Sequence, residues 1–157
     1  MPNAVTPAVF YLDPLAALDW LQQAFGFELG LLVTDSQGQL AHAEVTWHGI
    51  AIGVGGEWAS PELLGPARLK SPASLGGVGT QFVRVFMDEG LEAHCERARA
   101  AGARITQEPA TQFYGDRTYR ALDLEGHVWT FAQSVAEVSI AEMERASGLT
   151  IQSRGDA

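Results

Sequence analysis

The chain has 157 residues, of which 46% are hydrophobic and 18% charged, and its formal net charge is −9. This length fits one globular domain or two small packed modules, and it excludes a multidomain machine. The excess of acidic over basic side chains argues against nucleic acid and against anionic membrane surfaces as partners.

The apolar runs and the cysteine content indicate the cellular location of the protein. The apolar runs fall far short of the roughly 20 residues that a membrane span needs, and the N-terminus lacks a signal-peptide pattern. The single cysteine, Cys95, cannot form an internal disulfide. We therefore expect a cytoplasmic protein without a membrane partner.

Residues 1–54 predict a first βαβββ module. Asp13 followed by Pro14 is typical of a helix N-terminus, and Gly26 is typical of a left-handed C-terminal cap, so we expect a helix between them. Segments rich in β-branched and aromatic residues, separated by short turns, predict strands. These strands are expected at residues 4–12, 27–34, 40–47 and 50–54.

Residues 81–133 predict a second module with the same order of elements. Asp88 precedes Gly126 by nearly the same distance as Asp13 precedes Gly49, and Gly102 corresponds to the helix-ending Gly26. Agreement over a whole unit favours an internal repeat. The expected elements are a strand at 81–87, a helix at 89–101 and strands at 104–106, 117–122 and 127–132.

Two further segments complete the chain. Residues 55–80 are rich in Gly, Pro, Ala and Ser and are too long for a hairpin turn, so they predict a crossover arm. In residues 134–157, Ser139 and Glu142 have the spacing of a capping box, and Gly148 can end the short helix that follows. The predicted fold class is α+β, with paired βαβββ modules and a short C-terminal helix.

Several stretches carry a family resemblance. Residues 25–27 (Phe-Gly-Phe) and 101–103 (Ala-Gly-Ala) end the two helices, and residues 123–129 (Asp-Leu-Glu-Gly-His-Val-Trp) enter the last strand. Together with two βαβββ modules, they resemble the vicinal-oxygen-chelate superfamily, which includes glyoxalase I, bleomycin-resistance proteins and extradiol dioxygenases. Further stretches are similar to its PhnB-type glyoxalase or bleomycin-resistance-like branch; they are residues 41–44, 71–77 and 114–117.

The resemblance implies that the modules form a half-open barrel around a cavity. It also implies four metal-ligand positions, which fall near Pro7, Gly53, Gln81 or Phe82, and Thr130. None of these is a His or a carboxylate, so we expect no metal and no other cofactor. The alternative is a metal-dependent lyase, isomerase or dioxygenase in which His42 and Glu44 are relocated donors for zinc, nickel or iron.

Strand alternation predicts a polar wall inside this cavity. His42 and Glu44 share one face of the third strand, and counting back from equivalent glycines assigns Arg117 and Tyr119 to the same face of the second module. Thr130 is small enough to leave room for a ligand. Arg117 could bind an anion, His42 with Glu44 could form a hydrogen-bonded or general-base pair, and Tyr119 could stack or donate. Alternatively, Glu44 and Arg117 only neutralise one another.

Aromatic residues and Cys95 divide between loops and core. The loop residues Phe113, Tyr114 and Trp58 are expected to cover the cavity, or to pack in a dimer seam. We expect Cys95 to be buried and structural, and we expect the same of the remaining tryptophans, which are Trp20, Trp47 and Trp129.

The predicted function is binding of a small organic molecule, neutral or anionic, in the barrel cavity. The arm is long enough to let two chains exchange modules, and we expect a homodimer with two equivalent cavities. Besides the metal-dependent enzyme, a third alternative is a purely structural or interaction protein.

Overall fold

The structure is a computed structural model that describes residues 5–57, 65 and 67–153. Two βαβββ modules follow one another, and each forms a four-stranded mixed sheet with a helix on one face. Neither sheet closes into a barrel, which agrees with the paired half-open arrangement. Among the described residues, no helix has the length and apolar character required to cross a membrane.

The first module has the strand order β1-β4-β3-β2, with β1 parallel to β4 and the other pairs antiparallel. Its helix is capped by the Asp13 carboxylate, which accepts from the Ala16 N–H at 3.0 Å, and ends at Gly26 in the left-handed conformation. Its elements are β1 (Ala8–Tyr11), α1 (Pro14–Phe25), β2 (Glu28–Thr34), β3 (Leu40–Trp47) and β4 (Ile50–Gly56).

The second module repeats this topology with the strand order β5-β8-β7-β6. Its elements are β5 (Phe82–Phe86), α2 (Leu91–Ala100), β6 (Arg104–Thr111), β7 (Asp116–Leu122) and β8 (Val128–Ser134). A 3₁₀ turn, Pro72–Leu75, lies in the connection between the modules, and the C-terminal helix α3 (Ile140–Ser147) begins with the predicted capping box.

Two strands, β1 and β6, differ most in length from their predictions, and proline accounts for one of them. The described part of β1 begins only at Ala8, because Pro7 has no N–H with which to continue the ladder to β4. Strand β6 extends to Thr111 although it contains Pro109, since β6 is the outer strand of its sheet and can tolerate a missing donor there.

A single hydrophobic core joins the two modules. The ring of Phe25, at the end of α1, lies 5.5 Å from Trp129 and 4.8 Å from Phe131, both on β8 of the second module. Helices α1 and α2 also meet, since Arg97 donates to the backbone carbonyls of Gln22 and Gln23. Each sheet therefore has a helix side that faces this shared core and an open face on the other side.

The buried carboxylate of Asp123 links the two modules by hydrogen bonds. Asp123 accepts from the Tyr11 hydroxyl at 2.6 Å and from the Trp129 indole at 3.0 Å, and it also accepts from the N–H groups of Glu125 and His127. Burial and the Asp123 carboxylate raise the pKa of Tyr11 well above its ordinary value, so that the phenol stays a donor.

Candidate ligand-binding site

The strand register assigns side chains to the open faces. Glu44 lies opposite Gly53 in the first sheet, and Arg120 lies opposite Thr130 in the second. Because side chains alternate along a strand, His42 shares the open face with Glu44, and Thr118 shares it with Arg120.

His42 and Glu44 contact one another on the open face of the first sheet. The His42 Nε2 atom lies 3.1 Å from Glu44 Oε1, and both side chains are partly exposed to solvent. The predicted hydrogen-bonded pair is therefore present. Neighbouring side chains on β2 that share this face, Leu31 and Val33, are apolar and exposed.

Arg117 and Tyr119 do not join this wall, so their predicted position is wrong. Arg117 donates to Glu92 on α2 and to Thr111 Oγ1 at 3.2 Å, which places it on the helix side, and its predicted pairing with Glu44 is also wrong. The reason is a one-residue difference in spacing: Glu44 lies five residues before Gly49, whereas Arg120, which has the equivalent place in the second sheet, lies six residues before Gly126. A difference of one residue moves a side chain to the opposite face of a strand.

Tyr119 is instead part of a buried polar contact in the core. Its hydroxyl lies 2.6 Å from His94 Nδ1, and His94 Nε2 lies 2.8 Å from the Phe25 carbonyl. Since the carbonyl can only accept, Nε2 carries the proton and Nδ1 accepts from Tyr119. Burial lowers the pKa of His94 and raises the pKa of Tyr119, so both groups are held neutral.

Two arginines that the sequence analysis did not single out, Arg84 and Arg120, lie on the open face of the second sheet. Arg120 Nε donates to Thr130 Oγ1 at 3.2 Å. Arg84, on β5, donates to Asp116 at 2.6 Å, and its guanidinium lies 4.9 Å from the Phe86 ring centre. Alternation in residues 82–86 (Phe-Val-Arg-Val-Phe) was the signal that could have identified Arg84.

The loop aromatics Phe113 and Tyr114 lie near Arg84. Tyr114 is 5.5 Å from the Arg84 guanidinium, and Phe113 packs edge-on against Tyr114 at 5.2 Å. Both belong to the turn between β6 and β7. Trp58, the third predicted loop aromatic, lies outside the described residues.

Cys95 and the core tryptophans mostly follow their predictions. Cys95 is buried, and burial raises the pKa of its thiol, so it is a poor nucleophile. Trp129 is fully buried, whereas Trp20 and Trp47 are partly buried at the edge of the core. The Trp47 indole donates to the Phe86 carbonyl at 2.7 Å and so links the β3–β4 turn to β5.

This link forms one end of a cleft of about 410 Å³ between the β3–β4 turn and β5, which we call the β5 cleft. Three polar residues also line it, namely Arg84, His48 and Asp88. His48 adopts a positive φ of 47° in the turn and stacks on Trp47 at 4.9 Å. The apolar lining consists mainly of Trp47, Ile50, Ile52, Val83, Val85 and Phe86.

The residues at the implied metal positions do not fit a divalent ion. Pro7 and Gly53 have no side-chain donor, and the Gln81 amide donates to the Ala8 carbonyl at 3.2 Å. Thr130 accepts from Arg120, a cation that would repel a metal. Within the described ranges, His42 and Glu44 have no third His, Cys, Asp or Glu gathered with them into a metal-binding group.

One protein-family model matches most of the chain. The model of the glyoxalase/bleomycin resistance protein/dioxygenase superfamily matches residues 5–131. The chain belongs to this superfamily. The match includes both modules up to the middle of β8, and it agrees with the paired βαβββ architecture.

Relatives and solved structures support the same assignment. The chain is 30% identical over 154 residues to the uncharacterized protein Mb0911c of Mycobacterium bovis, which covers 98% of this chain and 95% of the relative. The structure of TioX from Micromonospora sp. ML1 has a TM-score of 0.62 and 28% identity, over 85% of this chain and 99% of TioX.

A third comparison shows the fold alone. A glyoxalase/bleomycin resistance protein/dioxygenase from Nocardioides has a TM-score of 0.64 and 18% identity, and the likeness covers 88% of this chain and 87% of that one. Superfamily membership does not fix an activity, because one scaffold supports several chemistries. The activity of each member therefore depends on the site that it builds on the scaffold.

Proposed function

We propose that this superfamily member binds a small organic anion with an apolar, ring-sized body in the β5 cleft, without using a metal. One observation carries the proposal, namely an apolar cleft of about 410 Å³ with an arginine in its wall. Ligand pockets usually measure about 300 to 1,000 Å³ and combine apolar walls with a few polar groups.

The walls favour a flat apolar body. Trp47 and Phe86 contribute aromatic surface, and Phe86 is 56% exposed although it is a large apolar residue. Val83 and Val85 present aliphatic surface from the core side of β5. Removing such surfaces from water stabilises a complex by roughly 25 cal/mol for each Å² buried.

Arg84 favours a negative charge on the ligand. One of its terminal nitrogens already donates to Asp116, but a guanidinium has five N–H groups, so donors remain for a carboxylate or sulfonate. The Phe86 ring beside it restrains the planar group in one orientation. A preoriented arginine loses little freedom on binding an anion, which increases affinity.

The proposed role is binding rather than catalysis. The His42–Glu44 pair is the clearest acid–base pair on an open face, but neither residue lines the β5 cleft. General acid–base catalysis requires a group within hydrogen-bond reach of the reacting atoms. A ligand in the β5 cleft would meet His48 and Asp88 at the rim, and these lie 4.0 Å apart, beyond a good hydrogen bond.

We propose further that the protein is a cytoplasmic homodimer. The open faces leave apolar side chains exposed on both sheets, namely Leu31 and Val33 on the first and Phe82 and Phe86 on the second. Within the described residues, the modules meet through helix sides and strand edges, so a wall over either open face would come from a second copy. Sedimentation at micromolar concentration should give twice the 16.8 kDa chain mass, and a monomer would contradict the dimer.

Titration calorimetry with 2-naphthoate and its neutral analogue 2-naphthylmethanol tests the ligand proposal. We expect 2-naphthoate to bind and Arg84→Gln to weaken it by about 10-fold to 100-fold, the range of a charge-assisted hydrogen bond. The matched control is Arg104→Gln, which removes the same charge from an exposed position on β6. Equal affinity for both probes, or equal effects of both substitutions, would contradict the proposal.

A further inference from the structure

A second cleft lies between β1 and residues 68–81 of the connection between the modules. Its volume is about 280 Å³, and we call it the arm cleft. We propose that the arm cleft is a separate binding site for a small carboxylate with a short aliphatic tail.

The charge of the lining favours a carboxylate. Arg68 and Lys70 line the arm cleft, and no Asp or Glu is among the described residues that line it. The Arg68 Nη1 atom donates to the backbone carbonyls of Gly65 and Ala67, whereas no carboxylate in the described part of the chain pairs with Arg68. Its remaining N–H groups can therefore meet an anion. The chain has a net charge of −9, so the positive charge of this wall differs in sign from the charge of the protein as a whole.

Lys70 can contribute to the same charge although it already has a partner. Its ammonium lies 3.2 Å from Glu57 Oε2, which uses one of three N–H donors. The hydrogen bond from Ser74 lowers the pKa of Glu57, as do the Ser71 N–H and Lys70, so Glu57 remains a fixed counterion outside the lining. Lys70 is thus held at the cleft instead of sampling solvent freely.

The floor of the arm cleft favours an aliphatic tail. Leu75 is 46% exposed and Val78 is 62% exposed, and both line the cleft together with Phe10 and Pro72. Leu75 belongs to the 3₁₀ turn, and Gly76 ends that turn in the left-handed conformation, which orients Leu75. A tail that covers these side chains removes apolar surface from water. The small volume restricts the tail to a short chain.

The walls are fixed before a ligand arrives. Ser71, at the start of the 3₁₀ turn, is fully buried, and its hydroxyl donates to Glu125 at 2.5 Å while its N–H donates to Glu57 at 2.7 Å. Glu125 also accepts from the N–H groups of Leu12 and Asp13, so it connects the 3₁₀ turn to the start of α1. A site built in this way requires little ordering on binding, which favours affinity.

The other end of the arm cleft supplies neutral polar groups. The Gln81 amide donates to the Ala8 carbonyl at 3.2 Å, which anchors this end of the connection to β1 and leaves its side-chain oxygen as an acceptor. Thr80 lines the cleft next to it and adds a neutral hydroxyl to this end. The predicted ligand therefore carries its charge near Arg68 and Lys70 and its tail over Leu75 and Val78.

Backbone amide NMR with hexanoate as the probe tests this proposal. We expect saturable shifts at Leu69, Thr80 and Gln81, and we expect the neutral analogue hexanamide and inorganic phosphate each to bind at least about tenfold more weakly. Arg68→Gln should weaken hexanoate by about tenfold or more, whereas the exposed control Arg104→Gln should leave it unchanged. Arg84→Gln, at the β5 cleft, should also leave it unchanged.

Three results would overturn the arm-cleft proposal. Hexanamide binding as tightly as hexanoate would remove the role of charge, and phosphate binding as tightly would remove the role of the tail. The third is an absence of shifts at these amides up to the solubility limit of hexanoate. Because Leu75 is exposed, Leu75→Ser should fold and weaken hexanoate without affecting phosphate, which gives a second variant independent of Arg68.

Discussion

The two modules share one topology but differ in the side chains on their sheets. On the helix side, β3 carries the apolar residues Ala43 and Val45, whereas β7 carries Tyr119, which is hydrogen-bonded to His94. On the open face, the first sheet carries the acidic and imidazole pair Glu44 and His42, whereas the second carries Arg84 and Arg120. The backbone pattern therefore specifies the repeat, and a few polar side chains distinguish the open faces of the two sheets.

The outer strands extend the same contrast. Strand β2 exposes Leu29, Leu31, Leu32 and Val33, whereas β6 contains Pro109 and the charged Glu108, which pairs with Arg99 at 2.7 Å. Proline and charges protect an edge strand against further pairing. The first module therefore has the more apolar outer strand.

The largest expected effect concerns the junction that both modules share. Asp123→Ala should lower the free energy of unfolding by about 3 to 5 kcal/mol, because it leaves the buried donors of Tyr11 and Trp129 without an acceptor. Asp35 accepts two backbone N–H groups in the exposed β2–β3 turn, so Asp35→Ala is a matched control with an expected loss of about 1 kcal/mol or less. Urea denaturation measures both, and equal losses would show that Asp123 does not fasten the modules.

The next effect distinguishes the helix sides of the two modules. Tyr119→Phe removes the hydroxyl that His94 Nδ1 accepts from and should cost about 1 to 3 kcal/mol of stability. Tyr114→Phe, in the turn between β6 and β7, removes the same group from a more exposed position and should have no measurable effect. If both variants melt alike, the buried contact contributes nothing to the second module.

Acid should weaken the protein through the same histidine. Burial lowers the pKa of His94 in the folded protein below the ordinary value of about 6.5. Below pH 6.5 the unfolded chain therefore binds a proton on His94 more readily than the folded chain does. The stability is therefore complete above pH 6.5 and falls as the pH drops below it, by up to about 1.4 kcal/mol for each pH unit. Urea denaturation between pH 5 and 8 should show this slope, and His94→Gln should reduce it; an unchanged slope in that variant would assign it to other groups.

The sequence predicts the repeat well because its signals are local. Asp13, Pro14 and Gly26 mark a helix by the conformations they favour, and both modules were identified from such marks. The open face of the second sheet was misassigned because the predicted face of Arg117 depends on the exact number of residues between β7 and Gly126. The β5 cleft could not be predicted, because it combines a turn near Trp47 with a strand near Arg84, and only the folded core brings them together.

The smallest expected effect tests the corrected face of Arg117. Arg117→Ala removes an exposed contact with Glu92 and should leave the melting temperature and the affinity for 2-naphthoate unchanged. Titration calorimetry compares the affinity of this variant for 2-naphthoate with that of Arg84→Gln, and so shows which face of the second sheet contributes to binding. A loss of affinity in Arg117→Ala alone would place the ligand on the helix side and contradict the register-based assignment.

The location of a bound aryl anion distinguishes the β5 cleft from the open faces of the sheets. Nuclear Overhauser contacts from the ring protons of 2-naphthoate should reach the Trp47 indole and the methyl groups of Val83 and Val85, and Arg84→Gln should reduce them at equal probe concentration. Contacts to Leu31 and Val33 on the open face of the first sheet, with none to Trp47, would contradict the account. If no residue of the β5 cleft gave a nuclear Overhauser contact with 2-naphthoate, the proposed binding site would also be wrong.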